Sequence, residues 1–288
     1  MFKKILLKLK ERDLNEIIRL FDLKFGLGAL ERIISSNWFN PLWTVYINFR
    51  SFSFNQAIRL PVFVYGRPKL FCLSGKMLVD GKVKLGMVKF NNTRPGAPSN
   101  MSVKSEINNQ GTIIFRGKCL IGTGTKIFVL SHAIFEVGDD VTIADFCNIG
   151  CLKGIKIGNT VRIAHRCQIL DSNYHYIADF NDYKISNYSK PISIGDYCWV
   201  CNTSTITGGA VIPDHIIISS NSLANRDYSK IPVGSLLAGI PARQIKSGVY
   251  RVFNEDIAIK ISKFYSANPE LLYSINEDVM PNNYYETN

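Results

Sequence analysis

The sequence has no apolar run both long enough and free enough of charge to span a bilayer, which excludes a membrane-spanning helix. Its first residues, MFKKILLKLKERD, are basic and apolar but lack the long hydrophobic region and small-residue cleavage site of a secretory signal. The expected compartment is therefore the cytoplasm, including the inner face of the membrane. Acids are in short supply, 23 against 34 lysines and arginines, for a net charge of +11. The cations are scattered and no nucleic-acid motif accompanies them, so no nucleic-acid partner is expected. The excess suits polyanions instead: phosphate groups, an acidic glycan or an anionic lipid surface. An even cysteine count is also missing. Seven cysteines without a secretory signal argue against a disulfide framework.

Simple periodicity is absent too, where the chain is most regular. From Ile192 to Ser222 apolar residues recur at every sixth position: Ile194, Val200, Ile206, Ile212 and Ile218. A small residue follows each of the first three by four positions, at Cys198, Ser204 and Ala210; Ile216 breaks this pattern and Ser222 restores it. Neither a 3.6-residue helix nor a strictly alternating strand gives a period of six. Short strands with a corner after each do, stacked coil on coil so that each coil buries its neighbour's apolar edge. The same register runs through Ile121, Ile127 and Ala133, slips near Val137, resumes at Ile143 and Ile149, slips again, and returns at Ile157, Ile163 and Ile169.

Residues 1 to about 35 carry apolar residues at helical spacing with charges between them, which fits a packing helix or an interfacial one. Aromatics at Trp38, Phe39, Trp43, Tyr46 and Phe49 would then cover the end of the solenoid or meet a membrane surface. Short strands broken by glycine begin near Leu60. Residues 173–190 have no repeat and leave the solenoid as a polar, aromatic loop, a place where binding residues gather. After the repeats fade, helices are expected near Glu255 to Tyr265 and after Pro269. The chain divides into an N-terminal helical and aromatic extension (1–59), a β-solenoid (60–248), and C-terminal helices with a tail (249–288).

Cys198 and Cys201, with Cys147 and Cys151, have spacings compatible with zinc. However, Cys147, Cys167 and Cys198 each occupy the small, buried hexad position, so no metal site is expected. Of four histidines, His132, His165 and His215 fall within hexads, and His175 opens the loop in the run Asp171-Ser172-Asn173-Tyr174-His175. By itself a lone loop histidine is a surface residue, since a base needs a placed partner.

The hexads, the Asp171-to-His175 run, Cys198-Trp199-Val200-Cys201-Asn202 and Leu237-Ala238-Gly239-Ile240-Pro241-Ala242-Arg243 together resemble the hexapeptide-repeat acyltransferases, and most of all the bacterial O-acetyltransferases of surface polysaccharides. The resemblance covers roughly Gly111 to Gly248. It implies an all-β solenoid, a left-handed parallel β-helix of triangular section, working as a homotrimer with its clefts between subunits. It implies acetyl-CoA as donor, a sugar or glycan hydroxyl as acceptor, and His175 as the general base. Asp171 or Asn173 would orient that histidine, with Asp179 or Asp182 as alternatives. The N–H of Asn202 would face the thioester oxygen. Trp199, Asn225, Arg226, Pro241 and Arg243 would line the cofactor's arm, adenine and phosphates. The sequence has Cys201 where the family has glycine, and no acid in Ile185 to Tyr188 where galactoside acetyltransferase has a glutamate. Two other readings are N-acetylation of a nucleotide-linked amino sugar and a non-catalytic β-helix scaffold.

Overall fold

In the computed structural model, residues 38–92 and 103–275 are described. The amphipathic stretch of residues 1 to about 35 and the tail from 276 lie outside them. The body is a parallel β-helix with three faces. The first carries nine strands, from Val62–Val64 to Ala242–Ser247; the second carries seven, from Lys69–Leu73 to Leu223–Ala224; the third carries six, from Lys76–Val79 to Val211–Ile212.

The six-residue period is the distance between inward residues on successive faces. Ile194, Val200 and Ile206 point into the prism from the third, first and second face in turn, each fully buried or nearly so. One coil later Ile212 lies beside Ile194 and Ile218 beside Val200. Ile157, Ile163 and Ile169 form the coil below, paired with Ile194, Val200 and Ile206. A column of stacked branched side chains is therefore the core, and no coil could bury it alone. The register slips fall at one corner, between the second and third faces, where extra residues enter without disturbing the ladders on either side.

Corners are held by side chains from the neighbouring coil. The Asp139 carboxylate accepts the N–H of Lys118 at 2.6 Å, Asp145 that of Thr123 at 2.8 Å, Asp196 that of Asn159 at 2.7 Å and Asp214 that of Asp196 at 2.8 Å. Gly158 shows why glycine precedes such a corner: a Cβ there would stand 2.3 Å from the Asp196 carboxylate and 2.7 Å from backbone. The cysteines fill inner corners as small hydrophobes. The thiols of Cys147, Cys167 and Cys198 each donate to a backbone carbonyl at 3.1 Å, and burial pushes Cys198 up to about 12.

The first coil is closed by helix α1 (Pro41–Ser51). Asn40 caps it by accepting the Trp43 N–H, and Pro41 suits its first turn. Its inner side is polar. Asn48 donates to the Val62 carbonyl at 2.7 Å and accepts the Val62 N–H at 3.1 Å, while Thr44 Oγ1 accepts the Val64 N–H. Gln56, in the short helix α2 (Phe54–Ala57), makes the same paired contact with Val79 at 2.7 and 3.0 Å. Side-chain amides thus stand in for the missing neighbouring strand. Asn48→Ala should cost about 2–4 kcal/mol, because it strands two buried backbone groups; an unchanged chemical-denaturation midpoint would contradict that role.

At the other end, strands Ser235–Gly239 and Ala242–Ser247 fold back antiparallel around the cis Ile240–Pro241 bond. Helix α3 (Glu255–Ala267) follows, capped by Asn254 and with Glu255 and Asp256 in its first turn. The second helix expected after Pro269 does not begin among residues 270–275, which form a turn and irregular chain. The Tyr273 N–H there donates to the Tyr265 hydroxyl, and the Phe264 and Tyr273 rings meet edge to face.

Candidate active site

The variable corner between the second and third faces expands most after Leu170. The chain leaves the coil at Asp171 and returns at Lys190, whose N–H donates to the Asp171 carbonyl at 2.9 Å. Ser172 and Ser189 form an antiparallel bridge at the neck. Beyond it the excursion, which carries no repeat, is a β-hairpin: Ile177–Asp179 pairs with Lys184–Ser186, Ala178 opposite Ile185. Its tip is turned by Asp179, whose carboxylate accepts the N–H groups of Asn181 and Asp182. Tyr176 and Tyr188 meet edge to face at 4.8 Å across the neck. A cavity of about 450 Å³ opens at the hairpin base, lined by Asp171, Asn173, Ile177, Tyr188, Lys190 and Gly208 among others.

His175 sits at this neck between Tyr174 and Tyr176, exposed, its ring making no hydrogen bond to the described residues. Tyr174 before it takes a left-handed backbone (φ 64°), with its N–H held by Ser172 Oγ at 2.9 Å. The Asn173 amide, oriented with its nitrogen toward the two carbonyls, donates to Tyr188 at 3.1 Å and to His175 at 3.0 Å. Asn173 therefore fixes the peptide of His175 rather than its ring.

Asp171 corrects the sequence expectation. Its side chain is fully buried, and its oxygens accept three backbone N–H groups of the coil below: Leu152 at 2.8 Å, Lys153 at 2.7 Å and Gly154 at 2.7 Å. Three of its acceptor positions are taken there, so this carboxylate holds a corner, and it makes no hydrogen bond to the His175 ring. Its charge still reaches Tyr174, whose phenol is raised, by burial first and by Asp171 second. Asp179 is likewise engaged by the hairpin's own turn.

Trp199 lies on the first face, beside Arg162 below and Ile217 above. Its outer surface is covered from a stretch that sequence reasoning passed over. The Arg251 guanidinium stands 4.9 Å from the Trp199 ring and 4.7 Å from that of Phe253, with Arg162 5.5 Å from Phe253 on another side. Tyr197 and His215 stack at 4.9 Å, and Tyr250 and Phe253 meet them edge on. Burial holds the His215 imidazole below its usual range. The alternation Tyr250-Arg251-Val252-Phe253 was the available signal, visible only once the chain was known to fold back over this face.

Asn202 stands at the corner between the first and second faces. Its carbonyl accepts the Asn221 N–H at 3.1 Å, and its own N–H has no acceptor among the described residues. Cys201 keeps the ordinary ladder bond to the Ile218 carbonyl and has no left-handed backbone, so its backbone conformation does not call for glycine. Pro241, at the tip of the terminal hairpin, shares this edge, since the Gly239 N–H donates to Ser222 Oγ at 3.1 Å; Arg243 beside it is exposed. Asn225 and Arg226, also exposed, follow the second-face strand Leu223–Ala224 and so lie on the edge of the His175 hairpin, two coils further along, about 10 Å at the usual strand spacing. One chain thus divides the expected residues. His175, Asn173, Asp171, Asn225 and Arg226 share one edge; Trp199, Asn202, Pro241 and Arg243 belong to the first face and its other edge.

No family model matches the chain. A protein of Escherichia coli K12, provisionally named the lipopolysaccharide biosynthesis O-acetyl transferase WbbJ, is 24% identical over 148 residues, covering 49% of this chain and 74% of that protein. A 24.8 kDa uncharacterized protein from the cps region of Klebsiella pneumoniae is 27% identical over 184 residues, covering 60% of this chain and 80% of its own. Among solved structures, the polySia-specific acetyltransferase NeuO aligns with a TM-score of 0.41 at 22% identity, over 67% of this chain and 84% of that one.

Proposed function

We propose that this chain, a hexapeptide-repeat acyltransferase, transfers acetyl from acetyl-CoA to a sugar hydroxyl of a bacterial surface polysaccharide or its precursor. The observation that carries the reading is His175: an exposed imidazole that makes no hydrogen bond to the described residues, its peptide pinned by Asn173 at the neck of a hairpin whose base opens onto a cavity. An imidazole so placed takes the proton of the acceptor hydroxyl as that oxygen forms its bond to the thioester carbonyl carbon. Negative charge collects on the carbonyl oxygen, where the N–H of Asn202, which has no acceptor among the described residues, is the donor to meet it. Collapse breaks the carbon–sulfur bond, and His175 returns its proton to the departing thiolate. The exposed guanidinium groups of Arg226 and Arg243 have the chemistry to hold the donor's phosphates.

The two groups of residues lie apart on one chain, which favours a site shared between subunits. In a cyclic trimer the hairpin edge of one chain meets the first face of the next, and every cleft receives both halves. Acceptors built on the cytoplasmic side of the membrane would be within reach of such an enzyme.

The reaction is tested by following free thiol release from acetyl-CoA with and without oligosaccharide fractions of the source's surface glycan. Acceptor-dependent release with recovery of an O-acetylated sugar is expected; release that no glycan stimulates would set the reading aside. The shared site predicts that His175→Ala and Trp199→Ala chains, each inactive alone, regain activity when refolded together into mixed trimers. Mixed trimers that stay inactive would place both halves within one chain.

A further inference from the structure

Helix α1 is amphipathic the wrong way round for a helix covering a core. Its inward residues Thr44, Asn48 and Ser51 are polar apart from Ile47, because they serve the edge of the first coil. Its apolar residues Leu42, Val45, Tyr46 and Phe49 follow the i, i+3, i+4, i+7 spacing of a single stripe, and they face outward. Leu42 is 82% exposed and Phe49 48%. The stripe continues past the helix: Phe54, 70% exposed, meets Phe49 edge to face at 6.2 Å, and Phe71, on the neighbouring strand, is 77% exposed. Exposed apolar area gathered in this way marks a surface with a partner.

Charge identifies the partner. Between residues 38 and 79 there is no aspartate or glutamate, while Arg50 and Arg59 stand exposed beside the aromatic stripe and Arg67, Lys69 and Lys76 follow. Among the described residues, Lys69 is the one of these cations in an ion pair, with Glu106 at 2.9 Å. A second copy docked by this face would bring cation against cation with no countercharge, and residues 1–37 carry a net positive charge as well. Aromatic and aliphatic side chains rimmed by cations match the interface of an anionic bilayer, where rings enter the headgroup boundary and cations meet lipid phosphates. The geometry points to this end of the solenoid, α1 with Phe54 and Phe71, as a docking surface for an anionic lipid membrane, with the β-helix axis rising from it.

Flotation of the full chain with vesicles tests this. Vesicles of phosphatidylcholine with phosphatidylglycerol should carry the protein, phosphatidylcholine alone should carry much less, and raised salt should release it. The double variant Leu42→Asp/Phe49→Asp should bind the anionic vesicles about tenfold more weakly or worse. Its unfolding curve and its acetyl transfer to a soluble acceptor should match the parent, since both positions face solvent and lie away from His175. Failure of the parent to float, or equal flotation of parent and variant, overturns the proposal; so does a variant whose only change is a smaller assembly by light scattering, which would make the stripe a self-contact.

Discussion

Replacing His175 by alanine is expected to lower acetyl transfer by about 10²–10⁴-fold, the range of a general-base contribution. The ring is exposed and makes no hydrogen bond to the described residues, so its loss should leave the unfolding transition where it was. The Michaelis constant for acetyl-CoA should change little, because the residues expected to hold the donor are other ones. The fall should therefore appear in the turnover number at saturating donor. Parent-like turnover in His175→Ala would remove this residue from the chemistry, whatever else the hairpin does.

Asp171→Ala is expected to act on the fold. Three part-buried N–H groups, those of Leu152, Lys153 and Gly154, would lose their acceptor together. At about 1 kcal/mol for each charge-assisted hydrogen bond lost, with water able to reach some of the donors, the loss comes to about 3 kcal/mol. Asp171→Asn should recover only part of it, because one carboxylate oxygen becomes an NH₂ group aimed at N–H donors. Unfolding in denaturant, followed by circular dichroism, reads the loss directly; activity per folded molecule, measured well below the transition, reads any effect on His175. A stable Asp171→Ala protein with turnover as low as His175→Ala would restore the orienting role that the hydrogen bonds argue against.

The contrast between these two residues shows what a sequence can carry here. Ile194, Val200, Ile206, Ile212 and Ile218 were legible because each interior position obeys one local rule, and the ladders keep that rule coil after coil. The hairpin edge was legible as an interruption of the rule. Asp171 misled because its neighbours in sequence suggest a partnership with His175, while its hydrogen bonds run across coils to residues some eighteen positions earlier. Arg251 was hidden for the same reason: its contact with Trp199 joins stretches far apart in sequence. The aromatics of α1 were visible, but not the side they face, because the inner side of that helix is chosen by the hydrogen-bonding needs of Val62 and Val64 rather than by apolar burial.

The side-chain amides that close the first coil also decide what the molecule does in a crowd. A parallel solenoid whose last strands are bare is a template for another solenoid, and repeated stacking of that kind grows a fibre. Asn48 and Gln56 occupy the hydrogen-bonding groups of Val62 and Val79 at one end, and the antiparallel return of Ala242–Ser247 blocks the first face at the other. With these groups occupied, the described coils offer no bare hydrogen-bonding row at Val62, Val79 or the Ser235–Gly239 strand, which disfavours stacking of one solenoid on another end to end.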